Sequence, residues 1–200
     1  MGAPSASVFL PAELTTAQRL SIDKLLDQIG TGRGVHNNNH IWIEDTSAIG
    51  GKYSGEGLSM FVCLDESFDP KEFGEQEEIE LFVTEFRFDP VYSIEIFAGC
   101  KAAADHLVVA ELCHCFASMF DGIIYFGGAL EPPGLELGGD EWSCQWAEVE
   151  PHFLEWVSDI PGKIISFPYQ PTSDRTWVSH CCTPEFLAAW ITHPDFYMLR

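Results

Sequence analysis

Apolar residues recur along the chain at two spacings, and these divide it into elements. Ser7-Val8-Phe9-Leu10 reads as a first strand. Thr15 and Gln18 then stand at capping-box spacing, and Ile22, Leu25, Leu26 and Ile29 follow at i, i+3, i+4 and i+7. That period lays one apolar stripe along a helix, which Gly30 ends. His40–Glu44 and Ser59–Leu64 read as two strands joined by the Gly-rich piece 50–57. Asp69-Pro70 opens a second helix, with Asp69 as the cap, Pro70 in the first helical position and Glu72 three past the cap. Ile79, Phe82, Val83 and Phe86 make its apolar face, and Glu75, Glu77, Glu78 and Glu80 its other face. In Val91–Ala98, Ile94 and Ile96 alternate with Ser93 and Glu95, the period of a strand.

The second half opens with a helix over about 105–120, whose wide apolar face is Val108, Leu112, Cys115, Phe116 and Met119. Glu111, His114 and Ser118 mark its wet side, and Asp121-Gly122 closes it. Ile123–Phe126 is a continuous apolar run, as in a strand covered on both faces. Residues 130–145 are rich in Gly, Pro and acid, which predicts a surface loop. A short helix follows from Pro151, with Phe153, Leu154, Trp156 and Val157 for packing. Lys163–Phe167 and Thr176–Cys181 read as strands. Thr183-Pro184 starts a last helix that packs through Phe186, Leu187 and Trp190.

These elements predict an α+β fold with a mostly antiparallel sheet and helices largely on one face. The order β-α-β-β-α-β over residues 1–100 is that of a ferredoxin-like half. Residues 101–200 form a second half carrying an acidic insertion at about 130–160. The expected organisation is a single domain over 1–200, in keeping with its length.

Charge changes the picture most. There are 31 acidic residues against 10 basic ones, a net charge of −21, yet 46% of the chain is apolar, enough for a sizeable core. Such a field repels nucleic acid and anionic membrane surfaces and attracts basic proteins. Surplus carboxylates also keep a protein dispersed, with no partner implied. No apolar stretch reaches the ~20 residues of a membrane span. Met1–Pro11 lacks a basic start followed by an apolar run, so no signal peptide is expected and the expected location is the cytoplasm. The cysteines are Cys63, Cys100, Cys113, Cys115, Cys144, Cys181 and Cys182. An odd number, several inside apolar runs, predicts reduced and mostly buried thiols.

Candidate chemistry is thin. Cys113-His114-Cys115 are consecutive on a helix and point about 100° apart, so they do not converge on one ion. Cys181-Cys182 on a strand face opposite sides. Cys182 or Cys100 with His180 or His106 would make a nucleophile and base, but a reactive thiol needs an electropositive setting. Gly127-Gly128 and Gly138-Gly139 lack the flanking residues of a phosphate loop. No catalytic residue, metal or cofactor is expected. The aromatics Trp142, Trp146, Phe153 and Trp156 lie in or beside the acidic insertion, either as a small satellite core or as interface anchors.

Two segments carry a resemblance. One runs from Asp105-His106-Leu107 through Phe120-Asp121-Gly122 to Phe126-Gly127-Gly128-Ala129-Leu130. The other is Trp177-Val178-Ser179-His180 with Pro184-Glu185-Phe186-Leu187-Ala188-Ala189-Trp190, His193-Pro194 and Phe196. Together they resemble a family of uncharacterised bacterial proteins, a domain of unknown function. In size and charge the chain is also similar to immunity proteins of bacterial toxin–immunity systems.

The functional expectation is an acidic cytoplasmic binding protein that neutralises a basic partner, such as a toxin domain. Its contact residues would be Glu72, Glu75, Glu77, Glu78 and Glu80 on one helix, with Glu136, Asp140, Glu141, Trp142 and Trp146 on the insertion. A structural or regulatory subunit, or an enzyme of unknown type, are the alternatives.

Overall fold

The computed structural model describes residues 3–32, 39–67, 76–133, 146–172 and 175–198. The chain begins with β1 (Ser5–Leu10) and α1 (Thr16–Ile29). The predicted capping box closes α1: Gln18 N donates to Thr15 Oγ1 at 3.3 Å and Thr15 N to Gln18 Oε1 at 2.9 Å. Gly30 ends the helix in extended backbone and passes into β2 (Gly30–Thr31). A Cβ at Gly30 would collide with the Trp42 carbonyl of the neighbouring strand, so this glycine serves close approach of backbones.

β3 (His40–Asp45), a 3₁₀ turn (Ser47–Ile49) and β4 (Ser54–Ser67) follow, then α2 (Gln76–Phe86) and β5 (Tyr92–Ala98). The second half is α3 (Ala103–Phe120), β6 (Ile123–Tyr125), α4 (Trp146–Val157), β7 (Ile164–Thr172), β8 (Arg175–Cys182) and α5 (Pro184–Trp190). The proposed start of α2 at Asp69-Pro70 lies outside the described residues.

The eight strands form one sheet, in the order β2-β3-β4-β5-β1-β6-β8-β7, and every ladder between them is antiparallel. The α+β expectation is borne out. The ferredoxin-like strand order is not. A ferredoxin-like unit would seat β1 between β4 and β5, antiparallel to both, whereas β5 lies between β1 and β4 and pairs with both. The first half is instead a β3-β4-β5 meander with β1 added to its far edge.

Strand alternation sorts side chains onto two faces. Val8, Leu10, Ile41, Ile43, Met60, Val62, Ile94, Ile96, Ile124 and Cys182 join the main core, beneath α1, α3, α4 and α5. Phe9, Ile123, Phe167 and Cys181 point to the opposite face and gather around Phe82 of α2. Among the described residues, four helices thus cover one face and α2 the other. Phe82 is fully buried, with ring centroids 5.9 Å from Phe9, 4.9 Å from Phe86 and 5.3 Å from Phe88. Lys163, just before β7, fastens α2 from outside: its Nζ lies 2.7 Å from Glu85 Oε2 and donates to the Glu85 carbonyl at 2.8 Å.

α4 starts at Trp146, five residues earlier than Pro151 implied. Its buried stripe is therefore Trp146, Val149, Phe153 and Val157, and Leu154, expected to pack, is 53% exposed.

Candidate functional site

α3 is apolar on nearly every side, because it lies between the sheet and the layer formed by α5 and the 3₁₀ turn. Val108, Val109, Ala110, Leu112, Cys113, Phe116 and Ala117 are all buried. A helix apolar all round belongs in a core, and its few polar residues are carried inside with it. Asp105, His106 and Glu111 are buried accordingly. Each meets a backbone N–H. Ala102 N donates to Asp105 Oδ2 at 2.7 Å across the first turn. Met198 N donates to His106 Nδ1 at 3.0 Å.

Glu111 corrects the expectation of a wet-side residue. Its carboxylate reaches into the loop between β3 and β4. Thr46 Oγ1 donates to Oε2 at 2.6 Å and Lys52 N donates to Oε1 at 2.6 Å. The loop is shaped for this contact. Tyr53 N donates to Thr46 Oγ1 at 2.9 Å, so that hydroxyl gives its own proton to Glu111. Gly51 N donates to the Thr46 carbonyl at 2.9 Å. A side chain at Gly51 would meet Thr46 Cβ at 2.6 Å and Glu111 Oε2 at 2.5 Å, so glycine is the residue that lets the loop close over the carboxylate.

Beside Glu111 is a cavity of about 140 Å³, lined by the loop (Ile49, Gly50, Gly51, Lys52), by Glu111 and His114 of α3, and by Ala188, Ile191 and Thr192 at the end of α5. Burial holds the His114 imidazole below its ordinary pKa, with Glu185 pulling weakly the other way. The site thus combines a buried carboxylate, a neutral imidazole and a hydroxyl with apolar walls. No cationic side chain lies at ion-pair distance from Glu111 among the described residues.

The thiol chemistry weighed from sequence meets a different setting. His180 and Cys182 share one face of β8, and both are fully buried. Leu130 N donates to His180 Nδ1 at 2.8 Å, which fixes the proton of the neutral ring on Nε2. The ring stacks on Phe153 with centroids 4.3 Å apart, and burial lowers its pKa to about 3. Burial drives the Cys113, Cys181 and Cys182 thiols up, and Cys115 up to about 11. Cys63, Cys100, Cys113, Cys115, Cys181 and Cys182 are free, and Cys144 lies outside the described residues. No group of three or more His, Cys, Asp or Glu able to hold a metal ion occurs among the described residues. Among them, no helix is long and apolar enough to cross a membrane.

The acidic contact residues separate. Glu72, Glu75, Glu136, Asp140, Glu141 and Trp142 lie outside the described residues. Glu77 and Glu80 are exposed on α2, but Glu78 is buried at 5% exposure and does not belong to the outer face. Trp146 is also buried, with its ring 5.5 Å from Phe153 and 5.4 Å from His180, so it is core and no surface anchor. α2 and α4 lie on opposite faces of the sheet. One flat interface cannot use both.

A family model matches the chain over residues 1–200. The chain belongs to the family of unknown function DUF6368. The resemblance carried by the segments from Asp105 to Leu130 and from Trp177 to Phe196 pointed to a family of this description, and both segments contribute buried residues to the core described above. No curated protein matches the chain. No solved structure matches it either.

Proposed function

We propose that this member of DUF6368 is an acidic binding protein whose partner is a basic protein, as an immunity protein is to a basic toxin domain. The observation that carries the reading is the outer side of α4. Between Lys101 and Lys163 the sequence contains no Lys or Arg. In that stretch Glu131, Glu148, Glu155 and Asp159 are exposed, and Glu150 is half-buried. Leu154 stands among them at 53% exposure, with Glu150 one turn before it and Glu155 beside it. An apolar side chain flanked by carboxylates supplies desolvated contact area, while the carboxylates select and steer a cationic surface. The proposed contacts thus centre on the helix inside the insertion, rather than on Glu136, Asp140, Glu141 and Trp142, which lie outside the described residues. α2, with Glu77 and Glu80, is a separate acidic patch on the other face.

The test is affinity capture from the source cell in parallel with a Glu148→Lys, Glu155→Lys, Leu154→Ser variant. All three residues are exposed, so the variant should fold. The expected result is a basic protein retained by the wild type, lost by the variant, and released by salt with slowing association. If no basic protein is retained, or the variant retains it equally, α4 is not the interface.

A further inference from the structure

We infer that the cavity over Glu111 is the seat of one cationic side chain, an arginine or lysine. Its supply by the basic partner rests on the reading above; the seat itself rests on the cavity. A pocket for a drug-sized ligand occupies roughly 300–1,000 Å³, whereas this one encloses about 140 Å³, the scale of a single side chain. Its floor is a carboxylate at 6% exposure. Both hydrogen bonds that Glu111 accepts come from neutral donors, the Thr46 hydroxyl and the Lys52 amide. A carboxylate has about four acceptor directions, so each oxygen keeps one free. A charge withdrawn from water with no countercharge is costly, and an incoming cation offsets that cost.

The walls match the occupant. Ile49, Ala188 and Ile191 line the cavity where the methylene stem of Arg or Lys would lie. His114 is kept neutral by burial, and the one cationic residue lining the cavity among the described residues, the exposed Lys52, makes no ion pair with Glu111, so an incoming cation competes with it only from the solvent side. Arg can meet both free acceptor directions with its planar fork, and Lys one as a point charge. The seat lies on the same side of the sheet as α4, and α4 adjoins α5 through Trp156 and Trp190, whose rings are 5.2 Å apart.

The experiment is a ¹H–¹⁵N titration of the full chain with N-acetyl-arginine amide, N-acetyl-lysine amide and, as a neutral control, N-acetyl-glutamine amide. The Gly51 and Lys52 amides report on the carboxylate. Saturable shifts with the arginine or lysine compound and none with the glutamine compound are expected; the compound that saturates identifies the side chain. Glu111→Gln keeps an acceptor for Lys52 N and removes the charge, and should weaken binding roughly tenfold or more. Should that variant unfold, Ala188→Phe keeps Glu111 and plugs the mouth from an exposed position, and should abolish the shifts. Absence of saturable shifts with either cation, or shifts unchanged in Ala188→Phe, overturns the inference whatever partner is captured. A saturable titration with no basic protein captured keeps the seat and overturns the acidic-binder reading. Capture unaffected by Ala188→Phe removes the seat from the partner interface.

Discussion

Replacing His180 by Asn should flatten the acid dependence of stability. The imidazole is fully buried, and its pKa is lowered to about 3 by that burial, whereas an unfolded histidine titrates near about 6.5. Between those values the unfolded chain binds a proton at this residue and the folded chain does not. Stability from neutral His180 is therefore fully present above about pH 6.5 and is lost as pH falls toward 3, at up to about 1.4 kcal/mol per pH unit. From pH 6.5 to pH 4.5 the loss is about 2–3 kcal/mol. Asn at 180 can still accept from Leu130 N through its carbonyl oxygen but does not titrate. The variant should be less stable at pH 7, having lost the stack on Phe153. The gap between the two proteins should then close by about 2–3 kcal/mol on acidification to pH 4.5. His114, also lowered by burial, and the buried carboxylates are common to both proteins and cancel in the difference. Urea unfolding at half-unit pH steps supplies the measurement. Parallel curves for the two proteins would show that His180 gains its proton in the folded state at an ordinary pH, and would refute this account of its burial.

Other perturbations test other parts of the structure. Phe82→Ala empties the centre of the small core under α2 and should cost about 3–5 kcal/mol in urea unfolding; a cost below about 1 kcal/mol would mean that α2 is not held there. Glu111→Ala strands the Lys52 amide and leaves the Thr46 hydroxyl the Tyr53 carbonyl at 3.3 Å as its acceptor, and should cost about 1–3 kcal/mol, with fast amide exchange at Lys52 and Tyr53 as the local signature. Gly51→Ala forces a methyl group against Thr46 and Glu111 and should cost about 1–3 kcal/mol; a neutral result would show that the loop opens freely. Leu154→Ser alone should change stability by less than about 0.5 kcal/mol while weakening partner capture.

The elements were legible because each had a period. Ile22, Leu26 and Ile29 on α1, Ile94 and Ile96 on β5, and Phe186, Leu187 and Trp190 on α5 are buried as their spacing implies. The strand order was not legible. Alternation tells which face a residue takes, and says nothing about which strand lies alongside. β5 could join β4 and β1 as it does, or leave β1 beside β4, with the same pattern of apolar residues. The face chosen by α2 was equally hidden, since Ile79, Phe82 and Phe86 make as good a stripe for one side of the sheet as for the other. Leu154 was misplaced for a more local reason. With the helix starting at Trp146, the buried stripe passes through Val149 and Phe153 and leaves Leu154 outside.

Glu111 was misread although the sequence held a signal for it. It follows Val108, Val109 and Ala110 and precedes Leu112 and Cys113, in a helix with too few polar residues to keep a wet face. A glutamate in such a helix goes inside and takes its hydrogen bonds with it. Solubility accounts for exposed acid such as Glu148 and Glu155, which sheds its field into water. It does not account for a carboxylate at 6% exposure in a chain whose net charge is already −21. Asp105, equally buried, answers a local need by accepting from Ala102 N at the start of α3. Glu111 also answers one, by holding the Thr46–Tyr53 loop, but an uncharged Gln could accept from Lys52 N as well. What Gln could not do is present a full negative charge to the cavity beside it, and that difference is what a cationic side chain would read.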